Sequence, residues 1–270
     1  MGAEKDRPLT LWWAALWAVS AGGVLFLLRR GFARFVPNTR TDLVTQSALV
    51  AIVLLLTTYA ILLVHASEHA PRRALGMRPS APSLVALGVG IGGLLPFATG
   101  SLDALIEAKF PASEEAKVVS QLLFSTTSSA RAIGLVVATS IVLPLVSELC
   151  FRGAIFGAMR RSGPLALATG CAAVTPVLAD FEWRRWPALF LVGIFASHVR
   201  AASGSLLPAL ALHVGFGTVI TIGAITGARF GSGTGVTVVG WLGVVALAYA
   251  VQTVSRDNED AEEARAEDAS

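Results

Sequence analysis

Apolar residues in this chain come in long blocks rather than alternating with polar ones. Eight blocks, at about 10–28, 43–65, 83–99, 132–159, 164–181, 187–203, 205–226 and 233–254, approach or exceed the ~20 residues that carry a helix across a bilayer. Backbone polar groups in hydrocarbon must be satisfied internally, so such blocks are helical. The pattern predicts an all-α fold: a polytopic integral membrane bundle of about eight transmembrane helices, one domain over residues 1–254. The longest polar break, 101–131, spaces Asp103, Glu107, Lys109, Glu114, Glu115 and Lys117 among apolar residues. That spacing predicts one or two amphipathic helices at the interface, with Glu114 and Glu115 solvated.

Composition sharpens this picture. A chain that is 54% hydrophobic and 14% charged, with a mean hydropathy of +0.67, is not a water-soluble domain. Lys5 and Arg7 precede the first block as they would in a secretory leader. The block, however, runs from Leu9 to Leu28 and ends in Arg29-Arg30, which favours a retained anchor. Trp12, Trp13 and Trp17 suit an interfacial belt. Gly88, Gly90, Gly92 and Gly93 in the third block form a small-residue surface for close helix approach.

The formal charge of +3 conceals an asymmetry. Residues 256–270 hold seven acidic residues and two arginines, leaving 19 basic against 11 acidic residues elsewhere. Segment 255–270 reads as a disordered acidic tail. The basic surplus lies at the ends of the apolar blocks, which accounts for a pI near 9.2 without nucleic acid as a partner. The lipid bilayer is the partner implied. Ten basic residues fall on each side of an eight-span layout, so charge leaves the orientation open. Cys150 and Cys171 both lie inside apolar blocks and form no CxxC motif, which makes them buried small hydrophobes.

Candidate chemistry concentrates in the second half. Glu148 and Arg152 stand four residues apart, on one helical face, within the apolar run 132–159. Charges at membrane depth are costly and usually mark a site. The pair is either an intrahelical ion pair that fixes packing or a carboxylate oriented at a polar cavity. His213 follows an apolar stretch from Leu206 and is either a hydrogen-bonded core residue or an acid/base or ligand. Asp180 and Glu182 precede Trp183-Arg184-Arg185-Trp186, a membrane-edge signature, with Asp180 the deeper of the two. His198, beside Arg200 and near Gly204, suits an interfacial position.

The stretch Pro144-Leu145-Val146-Ser147-Glu148-Leu149-Cys150-Phe151-Arg152-Gly153 resembles the first motif, Glu-Glu-x-x-x-Arg, of the CPBP (Abi) intramembrane proteases. These are relatives of the CAAX prenyl endopeptidases and of bacteriocin-processing proteins. Gly204-Ser205-Leu206 leading to His213 resembles the family's closing His-x-x-x-Asn segment, so the family-like core covers about 133–220. The resemblance implies a metal-dependent endopeptidase in a bacterial inner membrane, cleaving membrane-associated peptides or proteins. Glu148, Arg152 and His213 would be catalytic, with His213, Asp180 and Glu148 holding a zinc-like divalent metal. Three family positions are changed. Ser147 stands where the first glutamate is usual, Asp180 where the middle motif has histidine, and Gly217 where the last has asparagine. Serine cannot take a proton from water near neutral pH as a carboxylate can. The alternative is therefore a non-catalytic relative that binds or scaffolds membrane partners.

Overall fold

The computed structural model describes residues 8–35, 42–66, 69–126, 128–180, 183–228, 230 and 233–268. Lys5, Arg7, Arg40, Glu182 and Arg229 therefore lie outside the described residues. Among the described residues every long element is helical: α1 (Leu11–Phe35), α2 (Leu43–His65), α3 (Pro82–Lys109), α4 (Glu114–Phe124), α5 (Ser129–Ser162), α6 (Leu165–Ala179), α7 (Trp186–Ser203), α8 (Leu206–Thr226) and α9 (Thr234–Asp268).

Six of these, α1, α2, α3, α5, α8 and α9, are long and apolar enough to cross a membrane. The other two expected spans are α6 and α7. With 15 residues α6 reaches only about 22 Å at 1.5 Å per residue, short of a ~30 Å hydrocarbon core. In α7, His198 and Arg200 interrupt the apolar run within its last two turns. The interfacial segment contains α4, capped by the Ser113 hydroxyl, with Glu114 and Lys117 paired at 2.8 Å on its exposed surface. At the other terminus, α9 continues as a helix to Asp268, where a disordered tail is expected from charge alone. Ala and Glu are strong helix formers, and extending a nucleated helix adds one hydrogen bond per residue fixed.

Helix contacts set the two ends of the bundle. The Ser162 hydroxyl, at the end of α5, donates to the carbonyl of Leu9 before α1, and Arg161 donates to that of His65 at the end of α2. The backbone N–H of Leu206, opening α8, donates to the Gly76 carbonyl in the α2–α3 connection. At the opposite end, Arg184 donates to the carbonyls of Phe110 and Pro111. In between, α3 packs directly against α8. A Cβ at Gly92 would sit 1.9 Å from the Leu212 carbonyl oxygen, and one at Gly88 would sit 2.3 Å from that of Pro208. Two backbones this close leave no room for side chains, which is how small residues let helices associate in lipid.

Candidate active site

The site is built on α5, which is not a regular helix. It widens into π-helical turns at Val137–Val142 and Leu149–Ile155, on either side of a short α-helical piece, Leu143–Glu148. Pro144 has no N–H to complete the ordinary ladder, and a π-turn absorbs that loss. Such turns recur at functional sites. Here one begins directly after Glu148 and contains Arg152, and the other faces α8.

Glu148 is fully buried and Arg152 is 1% exposed. Arg152 Nη1 donates to Glu148 Oε1 at 3.0 Å. His213, reaching across from α8, places Nδ1 2.8 Å from the same oxygen, and its side chain is 18% exposed. One carboxylate oxygen therefore serves two partners from two helices. Glu148 Oε2 and Arg152 Nε and Nη2 have no hydrogen-bond partner among the described residues. With Glu148 ionised, Nδ1–H donates to it and Nε2 becomes the acceptor.

Further along the α5–α8 contact lies a hydroxyl cluster. Thr139 and Thr221 hydroxyls are 2.7 Å apart, and the Ser140 hydroxyl donates to Thr221 at 3.4 Å. The sequence signal is faint: three small polar residues inside apolar runs. Gly217, one helical turn before Thr221, lies against the first π-turn, so that a Cβ there would be 3.2 Å from Ser140 Cα and from the Thr139 carbonyl oxygen. The family's asparagine would crowd this contact. Ser147 is half-buried.

The remaining candidates stay apart from the trio. Asp180 follows α6, where Arg185 holds Oδ2 at 3.2 Å and Trp186 Nε1 donates to its carbonyl. His198 is half-buried on α7. Among the described residues no three His, Cys, Asp or Glu side chains converge on a common point for a metal ion. The expected set of His213, Asp180 and Glu148 is not assembled, because Asp180 is taken by an arginine while Glu148 and His213 bond each other. Cys150 and Cys171 are both reduced, and Cys150 is buried in the core. Arg200 on α7 is 7% exposed, with Nε donating to the Arg152 carbonyl and its guanidinium over the Phe156 ring.

The family model described as type II CAAX prenyl endopeptidase Rce1-like matches residues 129–219. No curated protein and no solved structure matches the chain. The matched segment runs from the start of α5 into α8 and contains Glu148, Arg152, Asp180 and His213. Over this segment, about a third of the chain, the protein is similar to the CAAX prenyl endopeptidase-related family.

Proposed function

We infer that this CAAX-protease-like membrane protein is a non-hydrolytic member of its kind, one that keeps the protease core to bind membrane-associated peptides or proteins. The observation that carries this reading is the state of Glu148: fully buried, with Oε1 shared by Arg152 and His213. Hydrolysis requires a base within reach of water. Ser147 supplies none, and Glu148 is occupied neutralising a buried guanidinium. Removing either charge would strand the other in a low-dielectric interior, so the pair survives selection for folding alone.

A second reading has its own observation. His213 is the one member of the trio with solvent access, and Glu148 orients its ring. That arrangement suits a carboxylate–imidazole base acting on water without metal, in the manner of a histidine held by a buried acid.

The experiment that separates them is cleavage of lipidated, membrane-anchored peptides by the protein reconstituted in bilayers, followed by mass spectrometry, for wild type and His213→Ala. No cleavage by folded wild type is the expected result. Cleavage that disappears in His213→Ala at an unchanged melting temperature would establish the second reading instead.

A further inference from the structure

At the end of the bundle defined by Leu9, His65 and Ser162, a cleft of about 630 Å³ opens between the α2–α3 connection, the end of α5 and the α7–α8 turn. Five arginines line it: Arg73, Arg78, Arg160, Arg161 and Arg200. No carboxylate is among the described lining residues. Arg73, Arg78, Arg160 and Arg161 are exposed at the rim, whereas Arg200 is buried at the base. Arg78 stands near enough to Arg200 for the two cations to oppose each other.

The cleft is a built feature. Gly76 has φ +68°, a left-handed conformation that favours glycine, and the Arg200 guanidinium lies 1.8 Å from where a Cβ would be. The Ser205 hydroxyl donates to the Arg78 carbonyl at 2.7 Å, fixing the loop that carries Arg78 to the α7–α8 turn. Arg200 itself is given one carbonyl acceptor and one aromatic ring, and among the described residues no carboxylate. Burying a cation without a counter-ion is strongly unfavourable unless an anion arrives from outside.

We propose that this cleft binds the phosphate of an anionic phospholipid headgroup. Guanidinium groups match phosphate oxygens in geometry and charge. Basic clefts between membrane helices at the headgroup level are where such lipids are held. The wall adds an exposed apolar side chain, Leu165, at the start of α6. A free phosphate would use the arginines but have no use for that apolar wall.

The test is lipid retention measured by native mass spectrometry, after extraction of the full chain from vesicles of equal phosphatidylglycerol and phosphatidylcholine content. Wild type should retain phosphatidylglycerol with a preference of at least about tenfold, since each arginine near the headgroups favours an anionic lipid by roughly fivefold. Arg73→Gln/Arg160→Gln, both at exposed positions, should cut the preference severalfold. Arg30→Gln/Arg34→Gln, at the opposite end, should retain it. Should the double variant fail to fold, Arg78→Gln alone, also exposed, should reduce the preference. Equal retention of both lipids by wild type, unchanged preference in the cleft variants, or equal loss in the opposite-end variant would each overturn the proposal. Displacement of the retained lipid by millimolar inorganic phosphate alone would assign the cleft to free phosphate and overturn the lipid assignment.

Discussion

His213 Nδ1 on α8 and Arg152 Nη1 on α5 meet the same oxygen of Glu148, at 2.8 and 3.0 Å. The pair of helices that carries the family motifs is thereby joined through one buried carboxylate. In lipid, apolar contact gives little net drive for association, so interhelical hydrogen bonds and close packing set which helices meet. The α5–α8 contact has both, with the Thr139–Thr221 bond and the Gly217 approach beside the trio.

Thr221→Val removes a hydroxyl shared by Thr139 and Ser140 while preserving shape. Hydrogen bonds between membrane helices average about 0.6 kcal/mol, and an orphaned buried hydroxyl adds to that, so a loss of roughly 1 kcal/mol is expected. Thermal unfolding in a fixed detergent measures it. Stability equal to wild type would remove the hydroxyl cluster from the account.

Gly217→Asn restores the residue usual in the family, yet it should destabilise this chain. Its Cβ would lie 3.2 Å from Ser140 Cα, backbone that a flexible side chain cannot replace. Overpacking of this kind costs about 1–3 kcal/mol. An Asn variant as stable as the parent would mean that α5 and α8 separate more readily than their packing suggests.

Gly92 and Gly93 are neighbours with opposite tolerance. Gly92→Leu forces side-chain atoms into the Leu212 backbone, whereas nothing lies within 4 Å of a Cβ at Gly93. Monodisperse protein in size-exclusion chromatography should be lost in Gly92→Leu and kept in Gly93→Ala. Recovery of both variants at parental yield would contradict the α3–α8 contact.

The sequence reading of the fold rested on block length, and it succeeded where blocks were long. It counted α6 and α7 as full spans because composition does not reveal that α6 stops after 15 residues. The four-residue spacing of Glu148 and Arg152 was legible because it is local. His213 joined them only through tertiary structure, across 65 positions of chain. Asp180 fell in register with a family histidine, but register in a motif does not fix where a side chain is held, and Arg185 holds it elsewhere. The arginine cleft is not legible as a unit, because its residues come from separate connections.

The most direct test of the trio as a structural clamp compares wild type, Glu148→Leu and Glu148→Leu/Arg152→Met by thermal unfolding in one lipid–detergent mixture. The single variant leaves a buried guanidinium unpaired and should lose about 3–5 kcal/mol, while the double variant, apolar and of similar volume, should recover most of it. Full stability in the single variant, or a double variant no better than the single, would contradict the clamp.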